Sequence, residues 1–156
     1  MERILIPDYI NVVTKELKIS KPLVVQDLSG EHTNAEYYPP EDKVVYIREN
    51  DTNEAYFEIA HELRHKWQFV NFRDKYFKNY IEIQKTNLED YGKQIAEIDA
   101  NAFAVLMTMR YLDELVLLNG YPQDEKKLIF KRAREISKHF NLEKLDWTGI
   151  FKTVNV

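Results

Sequence analysis

The sequence predicts an α+β fold, mostly helical, with a small antiparallel sheet near the N-terminus. Three observations carry this. Apolar residues recur at helical spacing through most of the chain after Asp51. Three short runs rich in Val and Tyr lie before it. The 156 residues hold only four glycines and no repeat or linker-like stretch, which predicts one domain over residues 1–156.

Ile10, Val13 and Leu17 set a first helix over about Pro7 to Leu17. Leu23-Val24-Val25 after Pro22 reads as a strand, as do Ala35 to Tyr38 and Val44 to Ile47, with Pro39-Pro40-Glu41-Asp42 as the turn between the last two. Asp51-Thr52-Asn53 offers N-caps for a helix reaching about Val70, whose stripe is Tyr56, Ile59, Ala60, Leu63, Trp67 and Val70. Residues 72–88 read as loop with some helix. A long helix follows over about Glu89 to Leu117, apolar almost all round between Ala100 and Met107, as a helix buried on most sides must be. A last helix runs from about Gln123 to Phe140, with a tail carrying Leu145, Trp147, Ile150 and Phe151.

Hydrophobic residues make up 44% of the chain, enough for a real core, and a net charge of −4 gives no electrostatic reason for direct nucleic-acid contact. No cysteine is present, so disulfides are excluded and any metal must be held by His, Asp or Glu. The N-terminal residues lack the apolar core of a secretory leader, and no stretch approaches the roughly 20 apolar residues of a membrane span. A cytoplasmic protein with no membrane contact is expected.

His61-Glu62-Leu63-Arg64-His65 is the segment with the clearest chemistry. Histidines four apart on a helix share a face one turn apart and can hold one metal ion between them. Glu62 is rotated by roughly 100° from His61, so it can serve as a general base towards a water that the metal activates. A catalytic zinc needs a third protein ligand. Downstream acids are Glu82, Glu89, Asp90, Glu97, Asp99, Asp113 and Glu114. Glu97, Asp99 and Asn101 stand apart because they interrupt the most apolar helix, where an unpartnered carboxylate costs several kcal/mol. Glu97 is assigned as the third ligand. Asn101, one turn on, suits a hydrogen bond to a ligand imidazole. Asp99 is the alternative, as ligand or as an orienter of a histidine.

These residues resemble a known family. His61 to His65, followed by Glu97-Ile98-Asp99-Ala100-Asn101-Ala102-Phe103-Ala104, is similar to the gluzincin pattern HExxH…ExxA(N/D), and in particular to ImmA/IrrE-type metallopeptidases, whose second motif reads like ExEANxFA. The resemblance covers about residues 5–118. It implies a zincin-like metallopeptidase domain with Zn2+ as cofactor and a protein or peptide substrate, transcriptional repressors being substrates of some members. It also implies that Val44, Val45, Tyr46 and Ile47 form the edge strand to which an extended substrate adds. An oxyanion donor is common in such sites, and Tyr37, Tyr91, Tyr111 and His139 are candidates. Arg64 stands where the family usually has Gly, Asp99 where it usually has Glu, and Val105 to Met109 where it has an LLMP-like ending.

The remaining features read as structural. His32 is expected to be solvated, and Lys126, Lys127, Lys131, Arg132, Arg134 and Lys138 to form one solvated helix face. Trp67 is expected behind the histidine helix, and Trp147 and Phe151 over the core. The competing function is a metal-containing regulatory binding protein with little or no proteolytic activity, but a purely structural metal site has no need of Glu62.

Overall fold

Two long helices pack against each other at the centre of the molecule, with the N-terminal helix and two strands of the sheet on the first and the following helix on the second. The computed structural model describes residues 2–156. In chain order the elements are α1 (Ile6–Leu17), β1 (Leu23–Gln26), β2 (Glu36–Tyr38), β3 (Lys43–Tyr46), α2 (Asn53–Phe77), α3 (Leu88–Gly92), α4 (Ile95–Leu112), α5 (Gln123–Ser137) and α6 (Trp147–Val154).

The first helix starts with Pro7 in its first turn, where the missing N–H costs nothing, and ends at Lys18 with φ 55°. It lays Tyr9, Ile10, Val13 and Leu17 on α2. Thr52 caps α2 by accepting a hydrogen bond from the Ala55 N–H. The helix runs on past Val70 to Phe77, broken at Phe72, whose φ −144° and ψ 46° are not helical. The helical part of the segment read as loop with some helix is the far limb of α2, up to Phe77, and the rest is loop with a short turn at Ile83–Lys85.

The predicted Glu89–Leu117 helix is two helices. Its register breaks at Lys93 and Gln94, and its end comes at Leu112, because Asp113 adopts the left-handed conformation with φ 53°. The short first piece, α3, is capped by Asn87 accepting from the Asp90 N–H. Every residue of α4 from Ala96 to Thr108 is buried, as its all-round apolar sequence requires. The core gathers Leu63 of α2, Phe103, Leu106 and Met107 of α4, and Ile129 and Phe130 of α5, none of them exposed. Each such side chain contributes about 1.5–3 kcal/mol by leaving water. Trp147 of α6, edge-on to Phe151, closes the core, as the sequence suggested.

The sheet corrects the sequence reading twice. Its order is β1-β3-β2, with β1 parallel to β3 and β2 antiparallel to it, so the small sheet is mixed rather than antiparallel. The tight Pro39–Glu41 turn returns β2 directly onto β3, while the chain from β1 crosses over before β2 and leaves the space beside β1 for β3. The run Val44, Val45, Tyr46 is thus the central strand and not an edge; all three are buried, and Ile47 lies just beyond the strand, its N–H bound by Glu58. The edge nearest the histidine helix is β2. Lys66 fastens this corner: buried on α2, its ammonium donates to the Ser20 carbonyl and hydroxyl and to Asp42.

Phe103→Ala should lower stability by about 3–5 kcal/mol through the cavity it opens between α4 and Phe140, read as a lower urea midpoint with an unchanged slope.

Candidate metal centre

Where the two long helices meet, α2 presents His61, Glu62 and His65, and α4 presents Glu97. The Nε2 atoms of His61 and His65 lie 3.2 and 2.9 Å from the two carboxylate oxygens of Glu97. One ligand atom from each of the three residues falls within 4.8 Å of the others. All three line a cleft of about 690 Å³. Glu62 lies alongside, its Oε1 3.8 Å from His61 Nε2.

The outer faces of the two rings decide how the inner faces are used. His65 Nδ1 is 2.8 Å from Gln68 Oε1, and Gln68 spends its amide hydrogens on Asp99 and on the Ala96 carbonyl. The Gln68 oxygen must therefore accept, so His65 Nδ1 carries a hydrogen. His61 Nδ1 is likewise 2.7 Å from Asn101 Oδ1. Both Nε2 lone pairs then point at the oxygens of Glu97, acceptor against acceptor, and only a cation or a proton between them makes that arrangement favourable. Two imidazole nitrogens and a carboxylate oxygen are the donor set that suits zinc. The residues fit a divalent metal.

The charges respond in the same sense. Burial opposes a charge on His65, but the Glu97 carboxylate outweighs it and lifts the imidazole pKa to about 10. Burial would raise Glu97, yet the two histidines hold it well below the usual carboxylate range. Glu62 goes the other way: burial raises its pKa, the histidines oppose this, and the Glu97 and Glu36 charges add to it.

Asp99 lies outside the convergent group. At 1% exposure it accepts from Arg64 Nε at 2.7 Å, from Gln68 at 2.8 Å and from Arg132 Nε at 2.9 Å. These partners outweigh burial and depress its pKa. Of its two predicted roles the ligand falls away, and the orienting role acts one residue removed, through Gln68. Gln68 was not singled out from sequence, although it sits three residues after His65 on the same helix face. Arg64 is buried, its guanidinium 3.6 Å from the centre of the Trp67 ring, which explains how a bulky cation is tolerated one residue before His65.

Of the predicted oxyanion candidates, Tyr37 and Tyr91 line the cleft. Tyr111 donates instead to Glu16 on the far side of the core, and His139 is exposed at the end of α5. Tyr80, which sequence reasoning missed, also lines the cleft, with its hydroxyl 2.9 Å from Glu97 Oε2 and 2.8 Å from the Tyr91 hydroxyl. Its segment has no periodicity that could have marked it. His32 is not simply solvated either: it pairs with Asp27 on the cleft rim. Lys126 is buried and Arg132 turns inward to Asp99, so the basic face of α5 keeps only Lys127, Lys131, Arg134 and Lys138 in water.

Two histidines a turn apart, a glutamate between them and a carboxylate from a second helix together define a metallopeptidase-type site. Comparison with known proteins agrees with that class. The chain belongs to the IrrE N-terminal-like domain family, peptidase family M78, whose profile matches residues 18–144. The match begins later than the resemblance read from sequence and takes in α5, where Arg132 reaches the site network. No curated protein and no solved structure gives a significant match.

Glu97→Ala should abolish stoichiometric zinc binding, measured by elemental analysis, while leaving the metal-free protein folded. Asp99→Ala should instead lower stability by about 3–5 kcal/mol, because it strands the buried Arg64 charge.

A pH dependence follows as well. A raised histidine pKa adds stability that is complete below the unfolded value of about 6.5 and is lost as pH rises through the folded value. Metal-free protein should therefore lose melting temperature between neutrality and pH of about 10, with a smaller loss in Glu97→Gln, where His65 keeps only the weaker pull of Glu62.

Proposed function

We propose that this protein is a zinc-dependent endopeptidase that hydrolyses peptide bonds of a cytosolic protein, with Glu62 as its general base. The observation that carries the reading is the convergence of His61, His65 and Glu97 in an open cleft with a buried, otherwise unpaired glutamate beside them. Zinc held by those three residues would supply a Lewis acid, able to polarise a peptide carbonyl and acidify water. Glu62 takes the proton from the attacking water and returns it to the leaving amine, and its raised pKa suits both transfers. Burial, and next the Glu97 charge, hold the Tyr80 phenol above its ordinary range, and the same two causes act on Tyr91. Both therefore stay protonated. Tyr80 donates to the Glu97 carboxylate and steadies it, and Tyr91, whose hydroxyl in turn donates to Tyr80, supports that chain from the same wall.

The substrate enters as an extended strand. What supports this is that β2 ends the sheet on the cleft side, and its residues Glu36, Tyr37 and Tyr38 line the cleft whereas those of β1 and β3 do not. Backbone pairing along β2 would hold a peptide with little demand on its sequence. Membership of the family supports a protein substrate, and the kinship with ImmA/IrrE-type enzymes makes a transcriptional repressor the first to try. No helix among the described residues is long and apolar enough to cross a membrane, which accords with a cytosolic setting.

Glu62→Gln should retain zinc and melting temperature while lowering the rate of peptide cleavage by about 10²–10⁴-fold, followed by mass spectrometry of new termini. Equal cleavage by wild type and variant would remove Glu62 from the mechanism.

A further inference from the structure

The walls of the cleft carry charge of one sign. Among the described residues six glutamates line it, at positions 31, 36, 58, 62, 82 and 97, and no lysine or arginine does. Three of the six are accounted for: Glu97 by the histidines, Glu58 by Arg48 and the Ile47 N–H, and Glu62 by the mechanism. The one further cationic candidate, His32, is matched by Asp27. Glu31, Glu36 and Glu82 are left with no ion-pair partner among the described residues, and all three are exposed.

Their placement brackets the site. Glu36 lies on β2 and Glu31 in the loop before it, forming one rim. Glu82 lies ahead of the Ile83–Lys85 turn, in the segment that also carries Tyr80 on the opposite wall. Phe57 and Tyr80 add aromatic surface to the cleft, whereas the Phe69 and Tyr38 rings already carry Arg73 and Lys43 of the protein itself. Below them Glu62 is 5% exposed, lines the cleft and accepts no hydrogen bond among the described residues. A cleft with low-dielectric walls and charge of one sign focuses the field and raises the local concentration of the opposite charge. Aromatic faces beside carboxylates suit the stem and head of Lys or Arg.

We propose that the cleft selects an extended peptide segment bearing Lys or Arg close to the scissile bond and rejects acidic segments. The inference rests on the endopeptidase reading for what enters the cleft. The charge pattern itself also disfavours polyphosphates and nucleic acid as occupants.

The test is binding by fluorescence anisotropy to the full chain carrying Glu62→Gln, so that no peptide is consumed. The probes are three labelled dodecapeptides that differ only in a central Lys-Lys, Ala-Ala or Glu-Glu pair. The Lys-Lys peptide should bind at least about tenfold tighter than the Glu-Glu peptide at low salt, with the gap narrowing as salt is raised. Adding Glu36→Gln and Glu82→Gln should shrink that ratio by about fivefold or more. Neutralising the exposed Asp51 and Glu54, which do not line the cleft, should leave it unchanged. Equal binding of the three peptides, tighter binding of Glu-Glu, or a Lys-Lys preference that survives loss of Glu36 and Glu82 would each overturn the inference. Cleavage of the same peptides by the wild type separates it from the function. Charge-selective binding without cleavage of any peptide would sink the endopeptidase reading and leave the selectivity standing, whereas equal cleavage of all three would do the reverse.

Discussion

The register between α2 and α4 is fixed by buried charge. Positions 97, 99 and 101 put a glutamate, an aspartate and an asparagine into the buried half of a helix that is otherwise apolar from Ile95 to Met107, and each needs a partner from a neighbouring helix. Helix α2 answers with His61 and His65 for Glu97, Arg64 and Gln68 for Asp99, and His61 again for Asn101. Sliding one helix against the other by a single turn would strand several of these groups at once. Hydrophobic packing around Leu63, Phe103 and Leu106 supplies most of the cohesion, but it tolerates small shifts that the polar pairs do not. The site is therefore a consequence of how the two central helices are held together.

That arrangement gives Arg64 a reason. A charged side chain between the two histidines would be expected to disturb the helix face next to the candidate metal ligands. Arg64 instead points away from the cleft, into the layer between α2, α4 and α5, where Asp99 neutralises it and Trp67 covers its face. Arg132 of α5 joins the same aspartate. The orientation of His65 is thereby linked, through Gln68 and Asp99, to the seating of α5, a helix that lies far from the histidines in sequence.

Much of the site was legible before any coordinates. Glu97 could be read because a lone carboxylate in an apolar helix is conspicuous, and the four-residue spacing of the histidines permits little else. Asn101 followed from sharing a face with Glu97. The strand that lines the cleft was legible as a strand over Ala35 to Tyr38, but its place at the edge was not, because a three-residue strand carries no pattern that ranks it against its neighbours, whereas the buried run at Val44 to Tyr46 has a strong one. That continuous apolar run is the mark of a strand covered on both sides, and it argues for the centre of the sheet. Tyr80 was invisible for a different reason: it follows the break at Phe72, and its place beside Glu97 comes from the path of the chain after that break.

The charges of the cleft divide into two groups that do different work. A divalent cation bound by the histidines would balance Glu62 and Glu97, so the catalytic floor would be close to neutral and its electrostatics local and buried. The field that reaches into solvent would then come from the rims, where Glu31, Glu36 and Glu82 are unpaired. Rim charges act at longer range and are screened by salt; the floor, sheltered from water, is screened much less. Substrate choice and bond cleavage can then be altered separately. On the proposed mechanism, substitutions at Glu31 or Glu82 would change which peptides are drawn in without acting on Glu62. The one carboxylate that couples the two groups is Glu36, whose charge adds to the raised pKa of Glu62.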